Sequence, residues 1–168
     1  MKYNKIVFEG PNNVGKSTLI KSLQDFIDFE SEHVTEVCPN NYTFCDDLLS
    51  NNESMFLDRL HLSELVYSEV FSRDCNLTNE EFVKLVNEHK DHTLIVIVDA
   101  DYDFMIRAAK TKLEYFDYEI SKQERNLFYE IWQKLRTMDG VNVIRVKNHW
   151  DDETKSILTG QLLEACRR

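Results

Sequence analysis

The chain has 168 residues, 42% of them hydrophobic and 30% charged, with four Cys and a formal net charge of -10. Domains commonly run to roughly 100–150 residues, so residues 1–168 are read as a single domain with one substantial core. No apolar run approaches the ~20 residues needed to cross a bilayer, which argues against a membrane partner, and the acidic balance disfavours long nucleic acid.

Strand and helix patterns alternate along the sequence. Lys5-Ile6-Val7-Phe8 reads as a short buried strand, and Met1–Lys5 runs into it without a signal-peptide core, which predicts a cytoplasmic protein. From Lys16 to Asp28, Leu19, Ile20, Leu23, Phe26 and Ile27 fall at helical spacing. His33–Val37 is a weaker second strand and Ser54–Asp58 a third. Leu62, Leu65, Val66 and Val70 mark the next helix, and Thr78-x-x-Glu81 is a capping box that opens another. Thr93–Val98 is continuous, β-branched and apolar, as a central parallel strand buried on both faces should be. Ser121-x-x-Glu124 reads as a second capping box, Val141–Val146 as a fifth strand, and Asp151 to about Cys166 as a last helix. Five strands interleaved with helices predict an α/β fold: a three-layer α/β/α arrangement around a parallel sheet.

Cys38, Cys45, Cys75 and Cys166 form no C-x-x-C pair and read as reduced thiols. His89-x-x-His92 sits in a polar helix end and reads as surface rather than as a metal site.

Ligands of such sheets bind beyond the carboxyl ends of the strands. Gly10-Pro11-Asn12-Asn13-Val14-Gly15-Lys16-Ser17 follows the first strand and fits G-x-x-x-x-G-K-[ST] in full. At average residue usage a chance match has odds of about one in a hundred. The motif lets backbone N–H groups curl around a polyphosphate at a helix N-terminus. Lys16 would reach the β- and γ-phosphates and Ser17 would ligate Mg²⁺, with Thr18 next in line. Asp58-Arg59 ends the third strand, with Ser63 and Tyr67 one turn apart on the following helix. An arginine there is a fork suited to a phosphate, and Asp58 could hold a Mg²⁺-bound water or fix Arg59.

Phe8-Glu9-Gly10 running into Gly15-Lys16-Ser17-Thr18, and Asp58-Arg59 with Ser63 and Tyr67, resemble the thymidylate kinase-like branch of P-loop nucleoside and nucleotide kinases, phage-type members in particular. Val98-Asp99-Ala100-Asp101 with Arg107, Phe116–Glu119 and Tyr129 are similar to that family's strand-to-lid junction, lid end and following helix. The resemblance implies Mg²⁺–ATP as donor, Arg59 on an acceptor phosphate, a sheet order of 2-3-1-4-5 and a lid at about residues 107–121. It also implies a homodimer, and the host cytoplasm for a phage-encoded chain.

The chain departs from the family in two places. Only about 16 residues separate the second and third strands, so base recognition is expected from Tyr42, Phe44, Tyr67 or Phe71. The lid carries Lys110 and Lys112 in place of a set of arginines, which leaves Arg107 or Arg125 to clamp the transferred phosphoryl group. A nucleoside hydroxyl as acceptor would need a carboxylate base, for which Glu36, Glu9 and Asp58 are candidates. The leading expectation is therefore an ATP-dependent deoxynucleoside monophosphate kinase acting on dTMP or a related, modified pyrimidine nucleotide. A deoxynucleoside kinase using Glu36 as base comes second. A kinase of a modified base or polynucleotide end, and a non-enzymatic nucleotide-dependent switch, follow.

Overall fold

Five parallel strands, in the order β2-β3-β1-β4-β5, form the centre of the molecule. They are β1 (Lys5–Glu9), β2 (Glu30–His33), β3 (Met55–Asp58), β4 (Thr93–Ala100) and β5 (Asn142–Asn148). The helices between and after them are α1 (Lys16–Gln24), α2 (Tyr42–Ser50), α3 (His61–Val70), α4 (Asn79–His89), α5 (Tyr102–Thr111), α6 (Tyr118–Leu135) and α7 (Asp152–Arg167). The computed structural model describes residues 2–35, 38–149 and 151–167. No helix among them is long and apolar enough to cross a membrane.

Strand alternation sorts the core into two layers. Ile6 and Phe8 of β1, with Leu94, Val96 and Val98 of β4, face Leu19 and Leu23 of α1, Phe104 of α5 and Leu158 and Leu162 of α7. Val7 points the other way, with Leu57 toward Cys45 and Leu49 of α2 and Leu85 of α4. Ile95 and Ile97 meet Leu62 and Val66 of α3, Phe82 and Val86 of α4 and Phe128 of α6. Every residue of β1, β3 and β4 is buried, so these strands need no polar alternation. Charged residues are buried at the strand ends, and the Lys5 ammonium is absorbed by Asn51 and the Glu53 carbonyl.

Several boundaries differ from those expected. The α4 capping box forms as predicted, with Thr78 and Glu81 exchanging hydrogen bonds. The Ser121–Glu124 box does not form. Asp117 caps α6 instead, accepting from the Ile120 N–H, and Ser121 and Glu124 lie buried inside the helix. Helix α1 stops at Gln24, after which Phe26 is exposed and Ile27 turns into the core. Strand β2 lies earlier than His33–Val37, because pairing of Glu30–His33 with Met55–Asp58 sets its register while its side chains stay exposed. The segment before β3 holds a helix, α2, capped by Asn41 and buried through Cys45 and Leu49. All four cysteines are free. His89 and His92 meet at 3.3 Å, and His89 also bonds Asp46 at 2.8 Å.

Candidate active site

The loop between β1 and α1 is shaped by two glycines at positive φ, where a side chain would be crowded. Gly10 has φ 140° and would drive a Cβ into the Val98 carbonyl; Gly15 has φ 82° and would drive one into the Asn148 amide. Gly15 is also the N-cap of α1 and offers no side chain to its first turn. The free N–H groups of that turn are thus left for an anion. Val14 buries its side chain in the core while its carbonyl accepts from Asn148 Nδ2 at 2.9 Å. Lys16 is folded back onto the loop, donating to the carbonyls of Gly10 (2.9 Å) and Pro11 (2.7 Å). Burial, reinforced by the nearby Arg59 charge, pulls its ammonium down to about 7. A polyphosphate would supply the counter-charge that the carbonyls lack.

Ser17 donates to Asp58 Oδ2 at 2.5 Å, and His33 Nδ1 stands 3.1 Å from the same oxygen. The other carboxylate oxygen, Asp58 Oδ1, is buried without a hydrogen-bond partner. An orphaned buried anion beside a serine hydroxyl is a donor set suited to a small hard cation, so the residues present fit Mg²⁺.

Arg59 follows directly, in the left-handed region at φ 76°, where a bulky residue is strained. Its guanidinium donates to Asn12 Oδ1 at 2.6 Å and lies 4.9 Å from the centre of the Tyr67 ring. Asn12 is held in turn by Glu124 of α6, which accepts from its backbone N–H and its side-chain amide, both at 2.9 Å. Burial raises the Glu124 carboxyl above its ordinary range, against the pull of Asn12, Lys16 and Arg59. Tyr67 reaches toward the Gly10 carbonyl at 3.4 Å, and burial pushes its hydroxyl up.

Two cavities open on these residues. One, of about 470 Å³, is lined by Asn12, Asn13, Gly15, Lys16, Ser17, Thr18 and Asp58, with Phe104, Ala108, Lys112 and Asn148 opposite. The other, of about 380 Å³, runs along α3 past Ser63, Glu64, Tyr67 and Phe71, with Val34, Thr35 and Asn40 facing them. Asn12, His33 and Arg59 line both. Those three residues form a seam between the β1–α1 loop and a second compartment.

Other expected residues lie elsewhere. Glu9 is fully buried and lines neither cavity: it takes the N–H groups of Leu60 and Leu62 and the Ser63 hydroxyl, so it caps α3 from β1. Tyr42 bonds Glu88 and carries the Lys84 ammonium on its ring, so it belongs to the α2–α4 contact and not to the second cavity. Arg125 is engaged bidentately by Asp99, which also takes Arg145 at 2.7 Å, so neither Asp99 nor Arg125 faces the loop as a free group. Arg107 and Lys110 are exposed on α5, away from the cavity lining. Lys112 alone of the four basic residues assigned to the lid meets the phosphate loop, donating to Asn13 Oδ1 at 3.1 Å. Glu36 lies outside the described residues.

Sequence reasoning passed over His33, Glu124, Asn148 and Asn40. His33 was visible only as a strand start, and the shifted β2 register makes it a strand end. Glu124 read as a capping glutamate. Asn148 ends the fifth strand, where the rule of strand carboxyl ends could have found it.

No family model matches the chain, and no curated protein matches it in sequence. Solved structures do match. YorR from Bacillus subtilis, in complex with phosphorylated GDP, superposes at a TM-score of 0.77 with 17% identity, over 95% of this chain and 94% of that one. Deoxyadenosine kinase from M. mycoides, with dCMP and dCDP bound, gives 0.61 and 14% over 96% and 98%. Shikimate kinase from Acinetobacter baumannii, with shikimate, gives 0.57 and 12% over 96% and 92%. The likeness shows that this chain has the fold of the P-loop kinases, three layers around a five-stranded parallel sheet of order 2-3-1-4-5.

Proposed function

We propose that the protein is an ATP-dependent kinase that phosphorylates a deoxynucleoside monophosphate. The observation that carries this reading is the position of Arg59, on the seam between the phosphate-loop cavity and the α3 cavity. ATP would occupy the larger cavity, its phosphates on the N–H groups of residues 13–17 and on Lys16, with Ser17 and Asp58 holding Mg²⁺. The metal would neutralise charge on the β- and γ-phosphates. The acceptor would lie along α3, its phosphate on Arg59 and its base toward Tyr67 and Phe71. An acceptor phosphate oxygen attacks the γ-phosphorus, the bond to the β,γ-bridging oxygen breaks, and ADP leaves. That oxygen is already anionic, so no general base is required. Lys112 and the segment 107–121 would close over the donor.

The sequence resemblance favours dTMP or a related pyrimidine nucleotide as acceptor. The His33–Asp58 pair on the same seam supports a second reading, phosphorylation of a nucleoside hydroxyl, because a carboxylate-held imidazole can accept its proton. ADP release from Mg²⁺–ATP against a panel of deoxynucleosides and their 5′-monophosphates separates the two. Turnover with a monophosphate, lost chiefly through a raised acceptor KM in Arg59→Ala, supports the first. Turnover with nucleosides alone, unaffected by Arg59→Ala, would replace it with the second.

A further inference from the structure

Asn40 lies in the loop between β2 and α2, in the left-handed region at φ 48°, and is 6% exposed. It lines the α3 cavity opposite Tyr67 and Phe71. Its Nδ2 donates to the Thr35 carbonyl at 3.0 Å. A carbonyl can only accept, so this bond fixes the orientation of the amide and leaves Oδ1 as the group without a partner. Asn40 Oδ1 is buried and makes no hydrogen bond. A buried acceptor left unmatched is costly, and on a cavity wall a ligand that donates to it removes that cost. Glu64 and Ser63 on the same wall are already engaged. Glu64 is a buried carboxylate whose oxygens already receive Arg73 and the Asn76 N–H, and the Ser63 hydroxyl spends its proton on Glu9.

We propose that Asn40 is the residue that reads the acceptor base, accepting a hydrogen bond from an exocyclic amino group, so that the acceptor carries an amino-bearing base rather than thymine or uracil. This rests on the assignment of the α3 cavity to the acceptor, and it replaces the thymine base that the sequence resemblance favours. An oxo group at that position would set lone pairs against lone pairs, the tied amide cannot turn to donate, and a base read through its ring N–H instead would show the opposite preference. An amino group supplies the missing proton. Among pyrimidine nucleotides this selects the cytosine type, and among purines the same chemistry selects adenine over hypoxanthine.

Two near-isosteric pairs test it, dCMP against dUMP and dAMP against dIMP, each exchanging amino for oxo and, with it, a bare ring nitrogen for a ring N–H. The full chain with Mg²⁺–ATP should favour the amino member of whichever pair it turns over by at least about tenfold in kcat/KM. Asn40→Gly removes the amide while tolerating the positive φ, and should bring that ratio toward one with KM for ATP unchanged. An oxo member used equally or better by the native chain overturns the proposal, whatever the variant does. So does a preference that survives in a folded Asn40→Gly protein. Turnover of no nucleotide by a chain that still binds ATP removes the acceptor assignment itself, and the proposal with it.

Discussion

At the residue scale, a buried charge on a cavity wall differs from a polar group that is merely enclosed. Lys16 holds a charge in a buried loop whose carbonyls only partly offset its desolvation, and Asp58 Oδ1 is an anion without a donor. Replacing Lys16 with Ala should cost at least about 10²-fold in phosphoryl transfer, with unchanged circular dichroism; near-native activity would remove the phosphate loop from the chemistry. His61 differs in kind. It packs on Phe82 with both ring nitrogens unpaired in an apolar setting, which holds its pKa at about 3, well below 6.5. The unfolded chain takes up a proton there as pH falls through 6.5, and the folded chain does so only near 3. His61 therefore subtracts stability progressively as pH falls across that window. Urea midpoints for His61→Leu should accordingly fall less than those of the native chain between pH 7 and pH 4.5. An equal fall in both would place the acid sensitivity elsewhere.

At the scale of elements, α6 ties the layers to the site. Glu124 in its second turn holds Asn12, and Arg125 beside it grips Asp99 at the end of β4. Glu124→Gln keeps the shape but loses the charge and one acceptor. It should lower kcat/KM about tenfold by loosening Asn12 and Arg59. Full activity would mean that the phosphate loop holds its shape unaided. Burial works against the Asp99 charge, but the hydrogen bonds and charges of Arg125 and Arg145 outweigh it and keep the carboxyl below its ordinary value of 3.8. Its stabilising contribution is thus fully present above about pH 4 and is lost as pH falls through the lower folded value. Asp99→Asn should be less stable than the native chain at pH 7, with the gap narrowing in acid. A gap independent of pH would make the effect one of packing.

The elements also show which parts of the molecule a sequence exposes. Thr93–Val98 and Lys5–Phe8 are written in apolar residues because both faces of those strands are covered, and Gly10–Ser17 is written in the chemistry of a phosphate. Strand β2 carries no such pattern: Glu-Ser-Glu-His is placed by its ladder to β3, so the residue at its end, His33, was hidden. Helix α2 begins at a lone Asn41 cap, without the periodic run that marks α4. Asn12 meets Glu124, and Asn148 meets the Val14 carbonyl, each across more than a hundred residues, and no local pattern records such a meeting.

At the scale of the whole molecule, the parallel order β2-β3-β1-β4-β5 brings the carboxyl ends of β1, β3 and β4 together, and the glycine loop, Asp58-Arg59 and Asp99 with them. A chain of net charge -10 can attract an anionic substrate only through local donors, and Lys16, Arg59, Lys112 and the Glu64-bound Arg73 line the two cavities. Leu113 and Tyr115 stand exposed in the loop just beyond Lys112. Closure of that segment over a bound donor predicts slower proteolysis after Lys110 and Lys112 when both substrates are present. Unchanged cleavage would leave the segment outside the reaction.

The central claim is that the two cavities are the donor and acceptor halves of one site, joined at Asn12, His33 and Arg59. An adenosine–deoxynucleoside polyphosphate that spans both compartments tests this most directly in steady-state inhibition. The account predicts competition with ATP and with the acceptor nucleotide alike, and a large loss of inhibitor affinity in Arg59→Ala. Competition with ATP alone, at an affinity no better than that of ADP and indifferent to Arg59, would contradict it.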